Sequence, residues 1–363
     1  MIGAFMNIYD SQLYLQDLDY TLSNCSWIRD LSGKSILITG ATGLICSPII
    51  DLLCRYNEKK EQKIHIYAAG RSKEKISARF SYCFDAPYFS YIEYDATNPK
   101  NTLDFSVNYI IHGASNAYPE LIQAEPVETM QSNFNGIFEL LKYAKSKNVQ
   151  NTVFISSSEV YGLKSTETPS LEDEYGYIDI LNPRSSYSVG KQAAETLCAS
   201  FASEKDVSVS IARPGHIYGP TANSNDNRVS SSFAYEVVYG NDLILKSDGS
   251  QIRSYCYMLD CATAILKILL NGKSGEAYNI SNPDSIINIK TLAELYAKIG
   301  SVSVLYQKPT LKEAAAFNPM KNSSLNSKKL QELGWRGLFD AETGTEHTIK
   351  ILTELCNITN VKN

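Results

Sequence analysis

The stretch SILITGATGLIC, residues 35–46, indicates which fold the chain adopts. Five residues with strand character, Ser35–Thr39, run directly into a turn with glycine at positions 40 and 43, and a helix is expected to start near Pro48. A strand, a glycine-rich turn and a helix N-terminus suit a pyrophosphate, because backbone N–H groups and the helix dipole face the anion. A lone Gly-x-x-Gly is also compatible with an ordinary turn, but its place in the first β–α unit favours dinucleotide binding.

The third position of this turn, where such motifs usually have glycine for close helix–strand packing, is Cys46. Gly40 and Gly43 would keep the turn tight and let the backbone approach the phosphates. The turn is therefore expected to contact the cofactor through Gly40, Thr42, Gly43, Leu44 and Ile45.

Strand-like and helix-like segments alternate through the first 219 residues. Strands are predicted at Ser35–Thr39, Ile64–Ala68, Tyr91–Tyr94, Tyr109–His112, Thr152–Ser156 and Ser208–Ala212, and helices at Pro48–Tyr56, Val127–Lys145 and Ser188–Ser203. Short apolar runs separated by helices indicate a parallel sheet buried on both faces. We predict an α/β fold: a Rossmann-type doubly wound parallel sheet with a smaller mixed α/β substrate-binding domain.

The sequence suggests three regions. Residues 1–33 read as an N-terminal helical leader, and residues 34–219 as the NAD(P)-binding Rossmann domain. After Gly219-Pro220 the chain becomes polar and loop-like, in TANSNDNRVSSSF, and then mixes short helices and strands. Residues 220–363 are expected to form mainly the substrate-binding domain, with some segments returning to the Rossmann domain. Such a domain at the carboxyl ends of the strands would close a cleft.

Composition excludes several classes of function. The chain has 363 residues, 44% of them hydrophobic and 20% charged, with a formal net charge of −5. Its basic residues are interleaved with acids, so a nucleic-acid partner is not expected. The N-terminus lacks the basic segment of a signal peptide, and no stretch approaches the ~20 apolar residues of a membrane span. Eight cysteines without a CxxC pair and four dispersed histidines suit free thiols in the cytoplasm and predict no metal site.

The end of the second strand favours NADP(H), with NAD possible. NAD sites commonly place an acid there for the ribose 2′-hydroxyl, whereas IHIYAAGRSKEK has Arg71 and Ser72. A guanidinium suits a 2′-phosphate through paired hydrogen bonds. A solvated basic turn is the alternative interpretation. Asp95, after the third strand, is expected to meet the adenine.

The segment YSVGK places Tyr187 and Lys191 on one face of a helix, and Ser157 ends the preceding strand. A tyrosine must lose about three pKa units from ~10 to act as a base near neutrality. A lysine ammonium and an oxidised nicotinamide would favour the phenolate by direct charge interaction. With Ser157 binding the same hydroxyl, this set would support hydride transfer from a carbinol carbon, which leaves a ketone.

Gly-x-x-Gly, Ser…Tyr-x-x-x-Lys and ARPGHIYGP together resemble the extended short-chain dehydrogenase/reductase superfamily, in its nucleotide-sugar epimerase/dehydratase branch. The similarity runs from about residue 34 to SSLNSKKLQELGW, which ends at residue 335. The pattern is most similar to UDP-glucuronate decarboxylases, whose segments resemble HGASNAYP, SSSEVYG, NDNRVSSSF and DGSQIRSYCYMLD.

This resemblance implies a nucleotide-diphosphate sugar as substrate and a homodimer formed through a helix pair. It implies further cofactor contacts at Ala114, Ser115, Tyr187, Lys191 and Pro214, and substrate contacts at Ser115, Ser158, His216, Arg228 and Arg253. The nucleotide diphosphate would lie near Arg228 and Arg253, and the sugar near Ser115, Glu159 and Tyr187. For Arg253, the alternative is an ion pair with Asp260.

Glu159, in FISSSEVYG, is the fourth predicted catalytic residue. In this branch, a glutamate two residues after the catalytic hydroxyl often faces the hexose near C5 and C6. Oxidation at C4 acidifies the C5 proton and makes a C6 carboxylate part of a β-keto acid, so Glu159 could act as a base or hold the sugar. A strand-end glutamate bonding the backbone is the alternative. Ser158-Glu159 replaces the Asp-Glu of dTDP-glucose dehydratases, which disfavours that reaction, while epimerisation, decarboxylation and other dehydrations stay open.

Two departures from the resemblance leave other functions open. His216 stands where the family usually has asparagine, and Arg71 suggests NADP(H) where related decarboxylases and epimerases mostly retain NAD. A net NADPH-dependent nucleotide-4-keto-sugar reductase is therefore the second hypothesis. A cofactor-binding scaffold or sensor without catalysis is the third, against which the intact Ser157, Tyr187 and Lys191 set argues.

Overall fold

The computed structural model describes residues 7–361 apart from 99, 116, 118, 165 and 311–319. Its strands are β1 (Ser35–Thr39), β2 (His65–Gly70), β3 (Phe89–Glu93), β4 (Tyr109–His112), β5 (Asn151–Ile155), β6 (Val209–Pro214), β7 (His216–Tyr218), β8 (Leu243–Leu245), β9 (Ile252–Tyr257), β10 (Ala277–Ile280), β11 (Ile286–Asn288), β12 (Val304–Tyr306) and β13 (Asn322–Ser323). Its helices are α1 (Gln12–Asn24), α2 (Cys46–Lys59), α3 (Lys73–Arg79), α4 (Pro119–Ala124), α5 (Pro126–Lys147), α6 (Ser186–Lys205), α7 (Val229–Val238), α8 (Met258–Asn271), α9 (Ile289–Gly300), α10 (Lys328–Glu332) and α11 (Ala341–Val361).

A seven-stranded parallel sheet forms the centre of the fold, in the order β3-β2-β1-β4-β5-β6-β10. Every residue of β4, β5 and β6 is buried, as expected for a parallel sheet covered by helices on both faces. The strand order reverses between β1 and β4, so the carboxyl ends of these strands border the crevice where such sheets bind ligands. The predicted Rossmann-type doubly wound sheet is confirmed.

The predicted elements lie close to the observed ones. Strands β1 and β4 have the predicted bounds, and the other four predicted strands shift by one or two residues. Helix α2 begins at Cys46 rather than near Pro48. The apolar pattern therefore located the elements, whereas the contacts at each end set the final residue.

The region after residue 220 contributes to two parts of the molecule. Strands β7, β11 and β13 pair with β9 in a small mixed sheet, and β8 pairs with β12. Strand β10 instead joins the edge of the large sheet beside β6, and α8 packs against α2, β5 and β6. Segments after residue 220 thus return to the large sheet, while the boundary at 219/220 stays a prediction.

The N-terminal leader is held by buried polar contacts. Asp51 of α2 is fully buried and accepts a 2.6 Å hydrogen bond from the Tyr14 hydroxyl and paired bonds from the guanidinium of Arg79. On α1, Asp17 lies 2.8 Å from the His347 ring of α11. The leader therefore connects the first helix of the large sheet with the C-terminal helix.

The cysteines are free thiols, and those other than Cys356 are buried. In the part of the chain that the structure describes, no group of three or more His, Cys, Asp or Glu side chains is arranged to hold a metal ion. None of the helices within these described residues combines the length and apolar character needed to cross a membrane.

The Asp51–Arg79 pair generates a stability prediction. Arg79→Met should lower the free energy of unfolding by about 3–5 kcal/mol, because it leaves a buried carboxylate without its cation. The double variant Asp51→Asn/Arg79→Met should lose less, since it removes both charges. Urea unfolding followed by circular dichroism measures both, with Arg29→Ala as the control at a side chain that is 77% exposed. Equal losses in the single and double variants would contradict the assigned charge penalty.

Candidate active site

The glycine turn after β1 has the geometry of an anion cradle. Gly40 has a φ of +71°, and a Cβ there would lie 2.8 Å from the carbonyl carbon and oxygen of Gly113. The Gly43 N–H donates to the Gly40 carbonyl at 2.9 Å, and α2 starts three residues later. Only glycine allows this left-handed backbone and close approach without strain. The turn and the helix N-terminus together fit the pyrophosphate of a dinucleotide.

Cys46 occupies the third position of the turn without disturbing it. Its thiol donates to the Thr39 carbonyl at 3.5 Å. A Cβ placed on Gly113 would overlap with the Cys46 sulfur. The glycine after β4 therefore provides the space that a glycine at position 46 would otherwise provide, a compensation that sequence reasoning missed.

The residues predicted to contact the adenosine half of the cofactor differ in whether they already form hydrogen bonds within the protein. Ser72 caps α3 by accepting from the Lys75 N–H at 3.2 Å. Asp95 accepts from the N–H and hydroxyl of Thr97 at 2.9 and 2.8 Å. Arg71 follows the last residue of β2 and is exposed, and it forms no ion pair within the described residues. Arg71 is therefore the side chain of this group that is available to a ligand anion.

The loop after β4 brings two further predicted residues to the crevice. The Ala114 N–H donates to the Thr39 hydroxyl at 3.3 Å, and the Ser115 hydroxyl donates to the Asn133 side chain at 2.9 Å. Both residues are half-buried. Two residues of the HGASNAYP motif, at 116 and 118, lie outside the described residues.

The predicted catalytic hydroxyl, phenol and ammonium come together where β5 meets α6. The Ser157 hydroxyl lies near the Tyr187 phenol and favours its ionised form, which lowers the pKa of Tyr187. The Lys191 ammonium donates to the Ile155 carbonyl at 2.7 Å and lies 5.7 Å from the centre of the Tyr187 ring. Tyr187 and Lys191 are buried. The i, i+4 spacing thus places both residues on the helix face that covers the strand end.

Burial dominates the electrostatics of this group. Burial raises the pKa of Tyr187 to about 12, and the Glu159 charge adds to the effect, while the Ser157 hydrogen bond opposes it. Burial also lowers the pKa of Lys191 to about 7, against the opposing charge of Glu195. The sequence suggested a lowered tyrosine pKa, but the protein's own groups raise it, because desolvation outweighs the nearby cations.

Glu159 lies beside this group and is held by side chains. Its carboxylate pairs with the Arg184 guanidinium at 3.2 and 3.4 Å and accepts from the Ser188 hydroxyl at 3.2 Å. Both side chains of the ion pair are about one-third exposed. Sequence reasoning missed Arg184, although its place three residues before Tyr187 in NPRSSY was the available signal. Ser158 is buried in the 3₁₀ turn between Ser157 and Glu159.

A cationic cluster lies in the region of β7, β9 and α7. Burial and the charges of Arg253 and Arg228 lower the pKa of His216 to about 3, and its buried Nδ1 has no hydrogen-bond partner among the residues that the structure describes. Arg228 pairs with Asp226 and is half-buried. Pro214, at the end of β6, is buried two residues before His216.

Arg253 is the most deeply buried member of this cluster, at 4% exposure. It donates to the carbonyls of Ile252 and Met320 at 2.9 and 3.0 Å and has no carboxylate partner among the described residues. The alternative ion pair with Asp260 is wrong, because that carboxylate accepts from the N–H groups of Leu338 and Phe339. Burial lowers the pKa of Arg253. A buried cation bonded only to carbonyls suits an anionic ligand.

Residues 36–281 match the family described as the NAD dependent epimerase/dehydratase family. UDP-glucuronic acid decarboxylase 6 of Arabidopsis thaliana is 30% identical over 304 residues, which cover 84% of each chain. UDP-glucuronic acid decarboxylase 1 of Xenopus tropicalis is 28% identical over 326 residues, which cover 89% of this chain and 73% of that one.

Solved structures of low identity share the fold. UDP-glucose 4-epimerase of Thermotoga maritima, solved with UDP-glucose, has a TM-score of 0.74 and 21% identity over 89% of this chain and 99% of that one. UDP-glucuronic acid 4-epimerase of Bacillus cereus, solved with UDP-glucuronic acid and NAD, has a TM-score of 0.72 and 21% identity over 88% and 99%.

The family match extends from the second residue of β1 to the residue after β10, so it contains the seven-stranded sheet except for Ser35. It also contains the glycine turn, Ser157, Tyr187, Lys191 and Arg253. The resemblance expected from the sequence is confirmed, and the chain belongs to the NAD-dependent epimerase/dehydratase family.

Proposed function

We propose that this protein modifies a nucleotide-diphosphate sugar by transient oxidation at C4 to a 4-keto sugar. The observation that carries the proposal is the group formed by the half-buried Ser157 and the buried Tyr187 and Lys191 at the carboxyl end of β5. Bound NAD(P) would supply the hydride acceptor and return the hydride later. The protein itself must bind the sugar, remove the C4 hydroxyl proton and control what happens at C5 and C6.

Tyr187 is the proposed acceptor of the C4 hydroxyl proton. Ser157 contacts the phenol and would hold the sugar hydroxyl beside it. The charges of Arg228 and Arg184 favour the phenolate, and a charged Lys191 beside the ring would add to this effect. Because burial raises the pKa of Tyr187 to about 12, proton transfer in this site requires the cationic neighbours.

Glu159 and Arg184 are proposed to act at C5 and C6 of the sugar. Once C4 is oxidised, a C6 carboxylate is part of a β-keto acid. Loss of carbon dioxide breaks the C5–C6 bond and leaves its electron pair as a C4–C5 enolate, which takes up a proton at C5. Arg184 could pair with that carboxylate in the ground state, while Glu159 could accept a C5 proton or bind a sugar hydroxyl. The relatives named as UDP-glucuronic acid decarboxylases support a hexuronate substrate and decarboxylation as the first activity to assay.

The diphosphate is proposed to bind at Arg253 and Arg228, with His216 between them and the sugar. Arg253 is already buried, so a bound anion would compensate a charge that the described carboxylates leave unpaired. His216 is neutral near physiological pH, because burial and the two guanidiniums lower its pKa to about 3. It therefore adds no repulsion for the cations and offers a hydrogen bond in place of the usual asparagine.

We propose that the cofactor is NADP(H) rather than NAD, because the exposed Arg71 is available to a 2′-phosphate. Solved structures of similar fold contain NAD. Arg71, together with His216, keeps a net NADPH-dependent 4-keto-sugar reductase as the second candidate function.

We also propose a homodimer, supported by an exposed apolar stripe on α5 formed by Val127, Met130 and Phe134. Residues three and four apart share one helix face, which suits packing against a second helix pair.

Tyr187→Phe should lower turnover of UDP-glucuronate about 10²–10⁴-fold, the scale of general acid–base catalysis, because the phenylalanine cannot accept the hydroxyl proton. Chromatography of the nucleotide sugars measures product formation. Tyr177→Phe, at a tyrosine that is 67% exposed, is the matched control and should retain turnover. Wild-type turnover in Tyr187→Phe would sink the proposed chemistry.

Arg253→Gln should weaken the binding of UDP by about 1.5–3 kcal/mol, because a charge-assisted hydrogen bond to the diphosphate is lost. Isothermal titration calorimetry with UDP alone measures this without any assumption about the sugar. Arg336→Gln, at an exposed arginine, is the control. Unchanged UDP affinity in Arg253→Gln would remove the diphosphate assignment.

Arg71→Ala should weaken NADP(H) binding by ~1–3 kcal/mol and leave NAD binding nearly unchanged, because only NADP(H) has the 2′-phosphate. Lys75→Ala, at an exposed basic side chain of α3, is the control. Equal affinity of wild type and Arg71→Ala for NADP(H) would contradict the proposed cofactor preference.

Native mass spectrometry of the purified protein distinguishes two cases. A retained cofactor is expected if C4 is oxidised and the hydride is then returned to the sugar, whereas a reductase consumes its cofactor.

A further inference from the structure

A third residue of α6 continues the line of Tyr187 and Lys191. Glu195 lies one helical turn beyond Lys191, and the three residues at i, i+4 and i+8 share one face. Each contacts one of three consecutive residues at the end of β5. Ser157 contacts Tyr187, Ile155 accepts from Lys191, and the Ser156 hydroxyl donates to Glu195 at 2.5 Å.

Arg213 holds the Glu195 carboxylate from β6. Its Nε and Nη2 donate to the two carboxylate oxygens at 2.9 and 2.6 Å, in the paired geometry of a strong charge-assisted contact. Glu195 is 7% exposed and Arg213 is 2% exposed. A carboxylate this buried and this fully bonded is unsuited to contact a substrate.

The outer side of Arg213 is bonded as fully as the inner side. Its guanidinium donates to the Tyr161 hydroxyl at 2.9 Å, the Glu172 carbonyl at 2.7 Å and the Tyr175 hydroxyl at 3.1 Å. The Tyr161 hydroxyl in turn donates to Asn279 of β10. This network fixes the guanidinium, and therefore the Glu195 carboxylate, through Tyr161, the loop that contains Glu172 and Tyr175, and Asn279 of β10.

Lys191 and Glu195 are neighbours at i and i+4 on α6, and Glu195 is the carboxylate whose charge acts on the Lys191 ammonium among the described residues. The other titratable groups around the ammonium are Tyr187 and Cys198 on α6, Cys46 on α2 and His112 on β4. Burial lowers the pKa of Lys191 to about 7, and Glu195 is the largest influence that raises it. Without that charge, the ammonium would lose its proton at a lower pH.

We propose that Glu195, clamped by Arg213, is a positioning residue that holds the Ser156–Ser157 strand end and keeps Lys191 charged beside Tyr187. Its catalytic significance rests on the proposed function, since it acts through the proposed Tyr187, Lys191 and Ser157 group. Its effect on Lys191 does not depend on any substrate. The buried Asp51–Arg79 pair, by contrast, joins α2 and α3 and serves as the comparison for a purely structural ion pair.

The direct test is the titration of Lys191 in Glu195→Gln, by nuclear magnetic resonance of labelled lysine side chains. The Lys191 signal is assigned by its loss in Lys191→Met. The glutamine keeps the shape but removes the charge, and its NH2 group cannot accept from Arg213 as the second carboxylate oxygen does. The Lys191 pKa should therefore fall below the wild-type value. Asp51→Asn should leave it unchanged. A Lys191 titration in Glu195→Gln equal to wild type overturns the proposal, whether or not the protein turns over a sugar nucleotide.

The dependence of turnover on pH provides the second measurement. Turnover of Glu195→Gln should fall at least about tenfold near neutral pH, with the alkaline limb moved to lower pH, because Lys191 is neutral there. Glu195→Asp should restore the position of that limb. The Asp51→Asn variant should be less stable, but both limbs of its pH dependence of turnover should stay at the wild-type positions. An unshifted pH dependence in Glu195→Gln would contradict the positioning role of Glu195.

Ser156→Ala keeps the test decisive if Glu195→Gln fails to fold. This change deletes one hydrogen bond to the carboxylate and leaves every charge in place. Turnover should fall several-fold while the Lys191 titration and cofactor affinity stay at wild-type values. Wild-type turnover in Ser156→Ala overturns the positioning role of Glu195. Absence of turnover in the wild-type protein rejects the proposed function instead. In that case, the Lys191 titration still tests the effect of the Glu195 charge.

Discussion

The hydrogen bond from the buried Lys191 ammonium to the Ile155 carbonyl joins the helix of the active site to the strand that carries its hydroxyl. The ammonium thereby satisfies a main-chain acceptor at the end of β5 as well as occupying the candidate site. The position of Tyr187 relative to Ser157 depends on this contact. So does the electrostatic problem of the site, because an ammonium removed from water is costly unless an opposite charge lies close.

The buried arginines differ in whether a carboxylate compensates their charge. Arg79 is paired with Asp51, and Arg213 is paired with Glu195, each through two hydrogen bonds. Arg253 is equally removed from water but bonds only to carbonyls within the described residues. A buried cation without a carboxylate partner costs free energy. Such a cost is expected to persist where a ligand anion compensates it, which is the physical basis for placing the diphosphate there.

Compensation between distant positions also explains the glycine turn. Cys46 departs from the usual small residue, yet its sulfur fits because Gly113 has no Cβ. The same Gly113 backbone lies against Gly40, so one glycine after β4 serves both the turn and the helix that follows it. A substitution at Gly113 would therefore affect the cofactor turn from a strand that is not part of the motif.

The sequence by itself determined the features that depend on local spacing. Short apolar runs located β1 and β4 to the residue, the glycine pair located the turn, and the spacing of Tyr187 and Lys191 located the helix face of the active site. Contacts between residues far apart in the chain were decided only by tertiary structure: Arg184 on Glu159, Arg213 on Glu195, and β10 on the edge of the large sheet. Periodicity records which face of an element is buried, but not which partner covers it. That partner depends on how the elements pack, and packing also decides that burial raises the pKa of Tyr187 and leaves Arg253 without Asp260.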